Sequence, residues 1–103
     1  MGQSIKVLAV SDLPAGSMKT VEVDGLQIAI ANVDGQYFAV DDICTHKHCS
    51  LGTKGFLDGT TLTCGCHGAQ FDISSGAVMT LPATSGLRAY SVSIDNEAII
   101  VHI

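Results

Sequence analysis

Apolar and polar residues alternate with a period of two along much of this chain. Val21-Glu22-Val23-Asp24 and Tyr90-Ser91-Val92-Ser93-Ile94 put apolar side chains on one face and polar ones on the other, the pattern of a half-buried strand. Segments of strand length lie at Ile5–Val10, Thr20–Asp24, Leu26–Val33, Tyr37–Val40, Thr61–Cys64, Leu87–Ile94 and Ala98–His102. Turn signals separate them at Asp24-Gly25, Asp34-Gly35, Asp58-Gly59, Ser75-Gly76 and Asp95-Asn96. Asp-Gly supplies the positive φ that tight hairpins need, so residues 1–40 read as a meander. No helical stripe, internal repeat or linker interrupts the pattern. It predicts a small all-β protein, an antiparallel barrel or sandwich.

The stretch from about Asp41 to Pro82 departs from this pattern. Its strands shorten, and it contains all four cysteines and three of the four histidines. A segment so rich in glycine and polar residues makes a poor core, so something other than apolar burial is expected to order it.

Composition narrows the function classes. A length of 103 residues supports one domain, and 47% apolar against 15% charged residues is a globular balance. Ten carboxylates against five Lys/Arg give a net charge of −5, which argues against a nucleic-acid partner. The longest apolar runs, such as Ala98–Val101, are far too short to span a bilayer, so no membrane segment is expected. The N-terminal residues show no export signal, and Lys6 occupies the place where myristoylation requires Ser or Thr. Leu81-Pro82-Ala83-Thr84-Ser85-Gly86 approaches a cell-wall sorting signal but lacks its hydrophobic tail, and reads as a turn-rich loop. The expected compartment is the cytoplasm.

The chemistry concentrates in Cys44-Thr45-His46-Lys47-His48-Cys49 and Cys64-Gly65-Cys66-His67-Gly68. Pairing the first cysteine of each with a nearby histidine gives C-x-H, then C-x-x-H, from two loops with a hairpin around Asp58-Gly59 between them. Structural zinc sites draw on paired cysteines and paired histidines, whereas each loop here offers one of each. Cys44 and Cys49 have the C-x₄-C spacing of plant-type ferredoxins, but the C-x₂-C that should follow at once is absent. Cysteine–histidine nucleophilic catalysis would use one of each and leave the paired pattern unexplained. The mixed set fits a 2Fe–2S cluster in which two histidines replace two cysteines on one iron.

The two loops closely resemble the cluster-binding boxes of the Rieske iron–sulfur family, and the resemblance extends over most of the chain. It implies an antiparallel β base, residues 1–41 and 83–103, with a cluster-binding subdomain inserted at about 42–82. It also implies that Cys44 and Cys64 hold the buried iron and that His46 and His67 hold the outer one. Imidazoles donate less charge than thiolates and so raise the potential. Such centres lie at roughly −150 to +300 mV, against about −400 mV for plant-type clusters.

Cys49 and Cys66 stand where high-potential Rieske proteins of cytochrome bc complexes form a disulfide that ties the two loops. Oxygenase-type Rieske ferredoxins usually lack both cysteines, and two unrelated thiols are the alternative in a reducing compartment. Other positions point away from the high-potential branch. Its members carry a serine and a tyrosine whose hydroxyls donate to cluster sulfur; here Ala69 and Phe71 stand there. Losing donors to sulfur destabilises the reduced cluster, and the acidic net charge acts in the same direction. Lys47 replaces the apolar tip that enters a quinol site, and its ammonium suits a protein partner better than a greasy pocket. His48 matches no ligand position and is expected to be an exposed neighbour.

Three further features are expected to carry no chemistry: His102 as a strand residue, Asp41-Asp42 as a solvated turn, and Met18 and Met79 as packing. The resemblance thus implies a soluble Rieske-type ferredoxin, monomeric when free, that moves single electrons from a flavoprotein reductase to a terminal oxygenase. No substrate pocket or mononuclear iron triad marks the chain as an enzyme. The alternative is a small electron-transfer subunit of a larger oxidoreductase, or a cytochrome-complex-like Rieske fragment, which the cysteine pair favours. A zinc-stabilised interaction module is the third class.

Overall fold

The computed structural model describes residues 3–23, 25–42, 50–65, 69–80 and 86–103. Six strands make the larger sheet: β1 (Ser4–Ala9), β2 (Met18–Val23), β3 (Leu26–Val33), β4 (Gln36–Asp41), β9 (Ala89–Asp95) and β10 (Ala98–His102). Their order is β1-β10-β9-β4-β3-β2, antiparallel at every pairing, and the two edge strands touch, so the sheet curls into a barrel-like base. Between β4 and β9 the chain builds a second antiparallel sheet, in sequence order, from β5 (Phe56–Asp58), β6 (Thr61–Thr63), β7 (Gln70–Asp72) and β8 (Val78–Thr80). A single helical turn, α1 (Leu51–Lys54), precedes it.

The all-β expectation holds, with one correction to the topology. β2, β3 and β4 form the expected meander, but β1 leaves it and pairs with β10 at the far edge. No tight-turn dipeptide links β1 to β2. A 3₁₀ turn at Val10–Asp12, then Leu13 and Pro14, carries the chain across, with Leu13 wholly buried beneath it. Among the other hairpin signals, Gly25 and Gly59 take φ of 83° and 59°, while Asp24 lies outside the described residues. Asp34 and Gly35 take φ of 52° and 89° between β3 and β4. At the β9–β10 turn the positive φ falls on Asn96 and Glu97, one residue later than the expected pair. β5, β7 and β8 were not anticipated, because three residues are too few to display alternation.

β3 explains how two cores share one sheet. Ile28 and Ile30 face the base interior with Leu13, Val23, Ala39, Tyr90, Ile99 and Val101. Ala29 and Ala31 face the other way, with Val40, against the inserted sheet. Alternation thus gives β3 two buried faces, a bulky one inside the barrel and a small one where the second sheet must approach closely. Full burial of each isoleucine contributes about 1.5–3 kcal/mol to the base interior.

Candidate metal centre

The inserted segment forms three loops, and each is closed at its root by a backbone hydrogen bond. At the first, the Leu51 N–H donates to the Asp42 carbonyl at 2.7 Å. Residues 43–49 lie between these two, so Cys44, His46, Lys47, His48 and Cys49 fall outside the described residues. At the second root the Cys64 N–H donates to the Ala69 carbonyl at 2.7 Å, with Cys66 and His67 again outside the described residues. At the third the Leu87 N–H donates to the Gly76 carbonyl at 2.7 Å. Gly76 has φ of 79°, and a Cβ there would lie 2.0 Å from the Leu87 carbonyl oxygen, so only glycine lets the two chains meet.

The three roots converge. Leu51, Leu62, Cys64, Ala69, Phe71, Ile73 and Leu87 form one buried cluster against Ala29, Ala31 and Val40. β6 and β7 bring Leu62 opposite Phe71, and their register delivers Cys64 to the cluster edge with 1% of its surface exposed. A cysteine sulfur at the edge of such a cluster is shielded from water on its inner side, a setting that suits a metal ligand whose charge the ion would compensate. Leu51, Cys64 and Ala69, which flank the segments bearing the remaining Cys and His residues, all belong to this cluster, and those residues themselves lie outside the described ones. Ala69 and Phe71 are both fully buried and bring no hydroxyl to the Cys64 neighbourhood.

The acidic pair preceding the first loop is not a solvated turn. Asp42 is wholly buried, because it continues the inward face of Val40 two residues on. Its carboxylate accepts hydrogen bonds from Ser50 Oγ (2.7 Å), the Gly52 N–H (2.7 Å) and Thr20 Oγ1 (2.8 Å). Asp41 continues the opposite face and accepts from the Tyr90 hydroxyl at 2.6 Å, while the Arg88 guanidinium lies 4.9 Å from the Tyr90 ring centre. Burial, then the hydrogen bond to Asp41, pushes the Tyr90 phenol up to about 12. The period-two phase of β4, carried past its end, was the signal for both aspartates. His102 sits in β10, with Ser4 Oγ and Ser93 Oγ each 2.8 Å from one of its ring nitrogens.

A barrel-like base carrying a small second sheet, with Cys- and His-bearing loops rising from one buried cluster, defines a class of metal-cluster electron carriers. The chain belongs to the Rieske family, matching the Rieske [2Fe-2S] domain over residues 3–91. It is similar to the biphenyl dioxygenase ferredoxin subunit of Pseudomonas sp. (strain KKS102), 35% identical over 93% of this chain and 88% of the relative. It also resembles the ferredoxin of carbazole 1,9a-dioxygenase from Nocardioides aromaticivorans IC177, with a TM-score of 0.91 and 26% identity over 96% of both chains. A third likeness is to a chain in the complex of reduced oxygenase and oxidized ferredoxin in carbazole 1,9a-dioxygenase. There the TM-score is 0.89 and identity 32%, over 95% of this chain and 91% of the other. The protein is an electron carrier with one Rieske-type 2Fe–2S cluster, not a catalyst in itself. Among the described residues no helix is long and apolar enough to cross a membrane.

Proposed function

We propose that this protein is the ferredoxin of a multicomponent oxygenase, taking single electrons from a flavoprotein reductase and delivering them to a terminal oxygenase in the cytoplasm. Cys44 and Cys64 hold one iron and His46 and His67 the other, within a cluster-binding subdomain of about residues 42–82. The cluster supplies a one-electron couple; the chain's residues hold it, shield its inner side and leave the histidine side open to a partner. Cys49 and Cys66 form a disulfide that ties the two loops. Ala69 and Phe71 offer cluster sulfur no hydroxyl donor, which holds the potential below that of quinol-oxidising relatives. Lys47 and His48 sit at the docking tip.

The observation that carries this reading is the buried cluster joining the loop roots, with Cys64 inside it. The similarity to dioxygenase ferredoxin components along nearly the whole chain supports the partners. Electron paramagnetic resonance on dithionite-reduced protein, with a potentiometric titration, tests it. A Rieske signal with a potential near or below zero is the expected result. The same signal at a high positive potential would reassign the protein to the quinol-oxidising branch, and no signal would overturn the ligand set. The cysteine pair favours a second reading, a subunit of a larger oxidoreductase, which native mass distinguishes from a free monomer.

A further inference from the structure

Asp42 belongs to neither Cys/His motif, yet it is a wholly buried carboxylate. Oδ1 accepts from the Gly52 N–H and Thr20 Oγ1, and Oδ2 accepts from Ser50 Oγ. Its backbone is also held, the N–H donating to the Gln27 carbonyl at 3.0 Å and the C=O accepting from Leu51. Among the described residues no Lys, Arg or His meets the carboxylate. β2 (through Thr20), the end of β4 and the first turn of α1 therefore meet at one side chain. Those last two elements are the two ends of segment 43–49.

Gly52 gives an independent sign that this junction is tightly drawn. A Cβ at position 52 would lie 2.2 Å from Thr20 Oγ1 and 2.9 Å from Asp42 Oδ1, so the junction closes only around glycine. An apolar side chain would fill the same space without burying a charge, and a buried carboxylate is tolerated only when its oxygens are satisfied, as they are here.

We propose that Asp42 is the positioning residue of the first ligand loop: it holds the two ends of segment 43–49 together through Ser50, Gly52 and Thr20. This rests on the reading above that Cys44 and His46, within that segment, are ligands.

The test compares holoprotein of wild type, Asp42→Asn, Asp42→Ala and Gly52→Ala. Three readouts are taken: paramagnetic line shape, cluster bleaching with a chelator, and melting of the β structure by circular dichroism. Asn keeps an oxygen for Gly52 and nearly the same shape, so Asp42→Asn retains the cluster and keeps its line shape and bleaching close to wild type, whereas Asp42→Ala shifts the line shape. Asp42→Ala and Gly52→Ala open the junction, and bleaching accelerates on the order of 10- to 100-fold, with a smaller change in melting of the base. Wild-type line shape and bleaching in both Asp42→Ala and Gly52→Ala, or bleaching as fast in Asp42→Asn as in Asp42→Ala, overturns the proposal. Should Asp42→Ala fail to fold, Asp42→Asn and Ser50→Ala still decide. A wild-type protein without a Rieske signal would remove the ligand reading beneath the proposal, a failure distinct from these.

Discussion

The two sheets of this protein hold themselves together by different means. The base has strands of five to eight residues and an interior of Ile28, Ile30, Ile99 and Val101, all fully buried. The inserted sheet has strands of three residues, and its large side chains Leu62, Phe71 and Ile73 lean on the base through Ala29, Ala31 and Val40. Three-residue strands form few ladder bonds and cannot bury a face of their own. Apolar burial among its own strands orders the first sheet, whereas the second depends on its loop roots and on its seat against the base, and under the proposed ligand set on the metal cluster as well.

Removing the cluster should break this pairing most strongly. Cys64→Ser, or loss of iron to a chelator, is expected to abolish the Rieske spectrum and the hydrogen-exchange protection of β5–β8, while amides of β3 and β10 stay protected. Equal loss in both sheets would mean that the insert and base fold as one unit. Replacing His46 or His67 with Cys should likewise remove the Rieske signal or convert it to a four-thiolate type, as optical and paramagnetic spectra would report.

Core truncations should differ in kind as well as size. Ile30→Ala is expected to cost about 2–5 kcal/mol of global stability, read from urea unfolding of the β signal. Leu62→Ala removes a similar side chain from the insert. It should release the cluster at lower denaturant than it unfolds the base. Coincident transitions in Leu62→Ala would erase the distinction between the two regions.

Two smaller effects sharpen it. Ala69→Ser with Phe71→Tyr adds hydroxyls beside Cys64 and should raise the potential in a voltammetric titration while leaving the base's melting temperature nearly unchanged. Tyr90→Phe acts on the base alone, removing the hydrogen bond to Asp41 at about 0.5–1.5 kcal/mol. Tyr90's raised pKa means that the fold favours the neutral phenol. Its contribution is whole below pH ~10, the ordinary tyrosine value, and is lost as pH rises through about 12. Urea midpoints of the variant should accordingly fall less steeply than wild type across that alkaline window.

The base was legible because its strands are long enough to show their period and its hairpins carry Asp-Gly or Asn in left-handed backbone. Leu26–Val33 and Ala98–His102 were read to the residue. β1 was misplaced because a strand's partner depends on the length and path of its connection, and apolar alternation is the same whichever neighbour it meets. β5, β7 and β8 are ordered by register with β6 and by the cluster beneath them, neither of which shows in three residues. At the site, the Cys and His motifs stand out by spacing, and Cys64 lies buried at a loop root, as the proposed ligand set requires. Two adjacent acids look like a surface turn in sequence, and Asp42 departs from that solvated expectation. Only the phase carried from Val40 tells them apart, sending Asp42 inward beneath the loop and Asp41 to Tyr90.

The chain enters and leaves the insert at one place. The Asp41 N–H donates to the Arg88 carbonyl at 2.9 Å, and the Arg88 N–H returns to the Asp41 carboxylate at 3.3 Å. Adjacent ends of this kind are what an exchangeable cassette requires. Excising residues 42–87 and joining Asp41 to Arg88 by a short turn would bare Ala29, Ala31 and Val40 on the base, together with the sides of Met18, Val33 and Phe38 that pack against the insert, so those positions would need polar replacements or a new cover. The six-stranded barrel is thus a socket into which a differently tuned insert could be spliced without redesigning the barrel.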